Sequence, residues 1–207
     1  MTAFRGRFVV LEGIDGCGKS TQVRLLADRL GAVQTFEPGA TPLGGSLRSL
    51  LLDPGGSPVA DRAEALLMAA DRAQHVAQVI APALEAGTWV VSDRFTASTL
   101  AYQGFGRGLE LDDLRTLVGW ATGGLRPDLT ILLDVPVEVA AARRQDGVVD
   151  RMEAEGLAFQ QRVADGYLAL ASDLREPWLV VDGTDEADNV AAQIWATVEV
   201  LAAEAVR

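Results

Sequence analysis

The chain has 207 residues with 29 acidic and 18 basic side chains, enough length for one two-faced core and a net charge of −11. A field of that sign opposes binding to a nucleic-acid backbone or an anionic membrane, so an anionic ligand needs a local cationic pocket. The single cysteine excludes an internal disulfide, Met1 to Gly6 lacks the apolar core of a signal peptide, and no apolar run approaches the roughly 18 residues of a membrane span, so a soluble, cytoplasmic protein is expected.

In chain order, the apolar run Arg7–Glu12 reads as a buried strand, followed by a glycine-rich turn and a helix, Ser20–Leu30, with Val23, Leu26, Ala27 and Leu30 on one face. A second strand, Ala32–Phe36, leads into the Gly/Pro-rich junction Glu37–Gly45, and Pro54–Pro58 reads as a plain surface connection. The pattern Arg62–Leu84 predicts a long helix that Pro82 should kink or end. Trp89–Ser92 is the third strand; Asp93–Gly108 follows it and ends in the glycine-rich junction Gly104–Gly108. Helix Leu111–Ala121, junction Gly123–Pro127, strand Leu129–Asp134 and helix Val137–Arg144 come next. Helix Glu153–Leu174, strand Trp178–Val181 and helix Asp185–Ala203 complete the chain.

Runs one, three, four and five are continuously apolar, as expected of parallel strands covered on both faces. Alternating βα units with right-handed crossovers give an α/β fold: a three-layer, doubly wound, five-stranded parallel sheet in a single domain, 1–207. Ligands in such sheets bind beyond the carboxyl ends of the strands, where Glu37–Gly45 and Asp93–Gly108 should overhang one crevice.

The turn after the first strand, Gly13-Ile14-Asp15-Gly16-Cys17-Gly18-Lys19-Ser20, fits G-x-x-x-x-G-K-[ST]. Its glycines let consecutive backbone N–H groups turn inward around a phosphate. Lys19 adds charge for the β/γ-phosphates, the Ser20 hydroxyl can ligate Mg²⁺, and the helix beginning at Ser20 and Thr21 points its positive end at the anion. Cys17 reads as a filler within this loop.

Phosphoryl chemistry asks a protein for positioning and charge neutralisation more than for covalent chemistry, so arginines and carboxylates at strand ends are the candidates. Asp93-Arg94 comes after an apolar strand; the carboxylate can face a hydrated Mg²⁺ and the guanidinium a phosphate, or the pair can be a salt-bridged terminus. Arg72 lies mid-helix beside Asp71, as a site residue or a solvated one. The run Arg143-Arg144-Gln145-Asp146-Gly147-Val148-Val149-Asp150-Arg151 fits a mobile arginine-bearing lid, about 143–152, and also a solvated helix hairpin. His75, the one histidine, reads as a helix-face residue without a chemical role. A phosphomonoester acceptor needs no histidine base, because its second pKa of about 6 leaves it mostly dianionic at neutral pH.

At these residues the chain resembles the thymidylate kinases, which phosphorylate dTMP with ATP. The run from Val91 through Asp93, Arg94, Ser98, Thr99 and Tyr102 to Gln103 resembles the signature after that family's third strand. Thr35-Phe36-Glu37-Pro38-Gly39-Ala40-Thr41-Pro42-Leu43-Gly44 resembles its T-R-E-P-G-G-T-P-L-G segment, and Ala70–Val76 and Asp150–Glu153 also match. The resemblance implies a P-loop kinase topology, a homodimer and specific roles. Gly13 to Thr21 would hold the ATP phosphates, with Ser20, Asp93 and Asp15 organising Mg²⁺. Arg94 and Arg48 would hold the acceptor phosphate, and Asp15 would lie near the acceptor's 3′-hydroxyl. Arg72 would meet the thymine edge, Thr99 and Gln103 would sit beside the base, Tyr102 against the sugar, Glu37 on the acceptor wall, and Tyr167 would close the site.

Some family members carry a catalytic arginine after the loop aspartate; here Gly16 stands there, so the resemblance assigns catalysis to Arg143, Arg144 and Arg151 of the lid, with Lys19, Arg94 and Asp15. Three departures bear on acceptor affinity: Phe36 in place of arginine, Ala40 in place of glycine, and Met68 where an aromatic ring usually stacks on thymine. The same-fold alternative is a kinase for another nucleoside monophosphate or a deoxynucleoside. An alternative from another class is a nucleotide switch, which Arg94-Phe95 after Asp93 disfavours because switch GTPases carry D-x-x-G.

Overall fold

The structure, a computed structural model, describes residues 6–144, 150–173 and 176–205. Five parallel strands form one sheet in the order β2-β3-β1-β4-β5: β1 (Phe8–Glu12), β2 (Val33–Phe36), β3 (Val90–Asp93), β4 (Leu129–Asp134) and β5 (Trp178–Asp182). The helices are α1 (Lys19–Leu30), α2 (Pro42–Leu52), α3 (Asp61–His75), α4 (Ala81–Glu85), α5 (Thr96–Thr99), α6 (Leu111–Ala121), α7 (Val137–Arg143), α8 (Leu157–Ala171) and α9 (Ala187–Ala205). None of them is long and apolar enough to cross a membrane.

Alternate residues of β1 feed two apolar layers: Val9 and Leu11 pack with α1, α8 and α9 residues, while Phe8 and Val10 pack with Ile80, Leu84 and Phe95. All of β1 is buried, which is why its run shows no polar alternation. The apolar run of β5 reads like a central strand, yet β5 is an edge, and only Val181 of its five residues is buried. Registers bring the carboxyl ends of three strands together: Asp93 of β3 is opposite Leu11 of β1 and Phe36 of β2. Every segment that leaves these ends therefore starts from one place.

Four stretches differ from the sequence expectation. Residues 42–52, part of which read as a Gly/Pro-rich junction, form α2. Thr41 caps it by accepting from Gly44 N–H at 3.0 Å, and Pro42 sits in its first turn, where a missing N–H costs nothing. Residues 96–106, to which the pattern assigns no helix and part of which read as a glycine-rich junction, form α5 and a π-helical segment, Leu100–Gly106. The long helix passes through Pro82 by way of a π-turn, Val76–Ile80, whose wider closure lets Ala81 N–H donate to Val76 O before the proline. The expected helix Glu153–Leu174 is divided by Gly156 at φ 85° into a short 3₁₀ turn, Glu153–Glu155, and α8.

The Leu100–Gly106 segment lies directly against α8. A Cβ on Gly166 would approach the Phe105 ring to 2.6 Å, and one on Gly106 would approach Phe159 to 2.7 Å. These glycines permit close approach of two helices that both carry site residues. Gly166→Ala should therefore lower stability by about 1–3 kcal/mol through displacement of Phe105. Gly45→Ala, in α2 with open space around it, should be neutral or gain up to about 1 kcal/mol. Urea unfolding midpoints of the two variants check the contrast.

Candidate active site

The phosphate loop joins β1 to α1. Gly16 (φ 87°) leaves no room for a side chain, since a Cβ there would lie 2.3 Å from Ala140 O. Gly18, at φ 99°, is the left-handed residue that starts α1. No acidic residue stands in the first turn of α1, so no side chain of the helix itself offsets its positive end. Lys19, buried, folds back to donate to Gly13 O at 3.0 Å and Ile14 O at 2.9 Å. Ser20 Oγ donates to Asp93 Oδ2 at 2.8 Å, joining the loop to the end of β3. An open crevice here is lined by Asp15, Gly16, Gly18 to Thr21, Phe36, Glu37, Arg48, Asp93, Arg94 and Arg143.

Beyond β3 the backbone makes a strained turn: Arg94 is the one described non-glycine residue with positive φ, at 72°. Glu12, the last residue of β1, anchors the residues after this turn by accepting from Phe95 N–H at 2.9 Å, Ser98 N–H at 3.2 Å, Ser98 Oγ at 2.6 Å and, from α8, Tyr167 OH at 3.0 Å. The turn aims Arg94 back over the loop. Its guanidinium donates to Gly13 O at 3.0 Å, Tyr167 OH at 2.9 Å, Ser98 Oγ at 3.1 Å, Tyr102 OH at 3.1 Å and Asp15 Oδ1 at 2.5 Å. Tyr102 OH also donates to Asp15 Oδ2 at 2.9 Å.

The titrations reflect this packing. Burial pushes the Asp15 carboxyl up, but the Arg94 and Lys19 charges and the hydrogen bonds from Arg94 and Tyr102 outweigh it and hold the group well below the usual carboxylate range. Burial pushes Glu12 up despite the nearby Arg94 charge and its hydrogen bonds. Burial also raises the Tyr102 and Tyr167 hydroxyls, which therefore remain protonated donors.

A second cavity opens on the other side of Arg94. It is lined by Asp15, Glu37, Pro38, Arg48, Leu52, Met68, Asp71, Arg72, Arg94, Ser98, Thr99, Tyr102, Gln103, Asp150 and Met152. Arg72 is buried and fixed from three sides, donating to Glu37 Oε2 at 2.7 Å, Thr99 Oγ1 at 2.8 Å and Phe95 O at 2.8 Å. It is therefore a wall residue of the cavity rather than a solvated helix residue. His75 is fully buried, with Nδ1 2.8 Å from Glu37 Oε1 and Nε2 2.6 Å from Thr35 Oγ1. The sequence reading of a helix face without a role is corrected in this respect: His75 orients the carboxylate that orients Arg72. Arg48, on α2, is tied to Pro38 O at 2.8 Å and reaches both cavities.

The other expected site residues divide between the cavity walls and the layer that supports them. Thr99, Tyr102, Gln103, Met68 and Glu37 line the second cavity together. Tyr167 is buried beneath Arg94 and Ser98 and does not line it. Ile14 and Cys17 are core residues behind the loop. Arg143 lines the phosphate crevice and donates to Gly183 O at 2.9 Å, which brings Gly183-Thr184 to the same region. Arg144 packs near Gly16 and pairs with Glu153 at 3.5 Å. Arg151 lines neither cavity: it donates to Leu51 O at 2.7 Å and Glu64 Oε2 at 2.8 Å. Residues 145–149 of the expected lid lie outside the described residues.

Glu12, Glu64, Asp71 and Ser98 receive no role from sequence reasoning. Glu12 does carry a signal, because an acidic residue ending a wholly apolar strand must find partners when buried. For Glu64 on an amphipathic helix no comparable local signal exists.

The Asp15 shift has a defined consequence for stability. Its folded pKa is below its usual 3.8, so the unfolded chain takes up the proton first as pH falls. The stabilisation is complete above roughly pH 5 and is lost progressively below about pH 4. In Asp15→Asn this acid-side loss should be reduced. Urea stability measured from pH 6 down to pH 3 checks it; parallel curves for the two proteins would overturn the assignment.

Comparison of the sequence with known proteins gives the family. The family model described as thymidylate kinase matches residues 11–194. A thymidylate kinase of Desulforudis audaxviator is 50% identical over 202 residues, covering 95% of this chain and 91% of the relative. One from Synechococcus sp. (strain CC9902) is 55% identical over 188 residues, covering 86% and 89%. One from Cupriavidus metallidurans is 50% identical over 191 residues, covering 90% and 94%. With a phosphate loop, a neighbouring arginine-floored cavity and this extent of likeness, the chain belongs to the thymidylate kinase family.

Proposed function

We propose that this protein transfers the γ-phosphoryl group of ATP to dTMP, giving dTDP and ADP on the route to dTTP. The observation that carries this reading is the junction of the two cavities. Asp15, Glu37, Arg48 and Arg94 line both the phosphate crevice and the second cavity. A donor triphosphate on the loop and an acceptor in the second cavity would thus meet at Arg94, with their phosphates side by side.

Each group then has a role that its surroundings support. The loop amides and Lys19 hold the donor phosphates, with Lys19 exchanging two carbonyl partners for phosphate oxygens. Arg94 and Arg48 hold the acceptor phosphate, and Asp15 fixes Arg94 by a charge-assisted hydrogen bond. An acceptor phosphate oxygen attacks the γ-phosphorus, a new P–O bond forms, and the bond to the ADP oxygen breaks. No base is required, because the phosphomonoester is already largely dianionic; the one histidine is occupied by Glu37 and Thr35. Arg143 and Arg144, nearest the loop, neutralise charge on the transferring group. Arg151 would join them only by releasing Glu64 and Leu51 O.

Ser20 Oγ and the Asp93 carboxylate are hard oxygen donors 2.8 Å apart at the crevice, and Asp15 lines the same crevice. Among the described residues no cluster of three or more His, Cys, Asp or Glu forms an all-protein cage. That donor set suits Mg²⁺, which binds through one or two protein oxygens together with phosphates and water. When bound it would neutralise charge on the β- and γ-oxygens.

Leu43 and Leu50 of α2, Leu66 of α3 and Trp120 of α6 are exposed on helices that pack in sequence, α2 on α3 and α3 on α6. A homodimer formed through this face is part of the reading, as is residence in the cytoplasm.

ADP release measured with dTMP, dUMP, dCMP and dGMP tests the function. The expected result is a clear preference for dTMP; equal rates across the panel would overturn it in favour of a broader monophosphate kinase. Arg94→Ala should lower kcat/KM for dTMP by on the order of 10²–10³-fold, as loss of a preorganised charge at a reacting phosphate does. Hydrolysis of ATP unchanged by any monophosphate would point instead to an acceptor-independent nucleotide switch.

A further inference from the structure

Most arginines around the two cavities are held by an acid. Among the described residues Arg94 pairs with Asp15, Arg72 with Glu37, Arg144 with Glu153 and Arg151 with Glu64. Arg48 of α2 lines both cavities and is held differently. Asp15, Glu37, Asp53 and Asp150 stand around it, yet no ion pair joins Arg48 to a carboxylate among the described residues. Its hydrogen bond is to a neutral group, Nη1 donating to Pro38 O at 2.8 Å.

The other group that meets Arg48 is a ring. Phe36 ends β2, an edge strand, and lines the phosphate crevice while 45% exposed. The Arg48 guanidinium carbon lies 6.0 Å from the centroid of that ring. Gly39, at φ 117°, touches both side chains: a Cβ there would come within 2.9 Å of Arg48 Cδ and 3.5 Å of Phe36 Cε2. The absence of a side chain at this glycine lets the arginine stem and the ring share one short stretch of backbone. An aromatic face attracts a guanidinium through its quadrupole and carries no net charge. A carboxylate such as Asp15 aims its arginine but also offsets its charge; a ring aims it and leaves the charge intact.

We propose that Phe36 is a positioning residue for Arg48: its ring, with Pro38 O, holds the guanidinium at the junction of the two cavities without neutralising it. In a chain of net charge −11, an arginine that keeps its full charge at that junction strengthens the local attraction for a phosphate dianion. The exposure of Phe36 then has a reason, because a buried ring could not face a group that must reach the ligand. This inference rests on the reading of Arg48 as a ligand of the acceptor phosphate.

The test is calorimetric titration with dTMP and with thymidine, which offers the same base and sugar without the phosphate. Phe36→Leu keeps apolar bulk and removes the ring face. It should weaken dTMP binding at least about threefold, the size of an exposed cation–ring contact, and leave thymidine binding unchanged. Phe36→Tyr keeps the face and should bind dTMP as the wild type does. In an Arg48→Ala background Phe36→Leu should cause no further loss, because the ring acts through that arginine. Equal losses for dTMP and thymidine would mean a distorted cavity wall and overturn the inference. So would a loss in Phe36→Tyr as large as in Phe36→Leu, or a second full loss in the Arg48→Ala background. If Arg48→Ala weakens dTMP binding and Phe36→Leu does not, the inference fails and the reading of Arg48 stands. If Arg48→Ala itself leaves dTMP binding unchanged, that reading fails.

Discussion

The ion pair between Arg94 and Asp15 is the interaction on which the rest of the site depends. It joins the end of β3 to the phosphate loop at the end of β1 across 2.5 Å, and it lies where the two cavities meet. Isolated, either partly buried charge would be expensive to desolvate. Together, with Tyr102, Tyr167, Ser98 and Gly13 O accepting from the two terminal nitrogens of the guanidinium, they form one hydrogen-bonded group. The left-handed turn at Arg94 is the cost of aiming the side chain backwards. Glu12 offsets that cost by taking the amide protons of Phe95 and Ser98.

The same arrangement recurs in the wall of the second cavity. Arg72 is held by Glu37, and Glu37 is held in turn by His75; Gln103 is held by Glu64, which Arg107 and Arg151 hold. In both cases a group facing the cavity is oriented by a buried carboxylate, and a cation or imidazole behind it balances the charge. Such a wall loses little freedom when a ligand binds, which suits a reaction that depends on placing two phosphates rather than on covalent chemistry.

Much of the fold was legible because its signals are local. The phosphate loop is contiguous, and its glycines are required by the backbone angles of that loop itself. The continuous apolar runs of β1, β3 and β4 mark strands covered on both faces. The apolar run of β5 carried the same message although β5 is an edge, because an edge strand packed under a helix needs apolar residues too. Local composition misled at α2 and at residues 96–106, where glycines read as loop are places of close packing: Gly44 faces Asp71, and Gly106 faces Phe159. Glycine content alone does not distinguish a turn from a helix that another element must touch.

By itself the sequence determined that a phosphate-loop pattern follows the first strand, and that an Asp-Arg pair stands at the end of the third. The reason is that both features are set by neighbours along the chain. Only the tertiary structure decided which acid serves which base. Asp15 finds Arg94 at a separation of 79 residues, Tyr167 finds Glu12 at 155, and Arg151 finds Glu64 at 87. Those pairings depend on the order and register of strands and on the packing of α3 and α8 against the Leu100–Gly106 segment, and no local pattern records them. That is why the arginines of the site, with Asp15 and Glu37, could be named from sequence while the pairings between them, and the buried Glu12 and Glu64, could not.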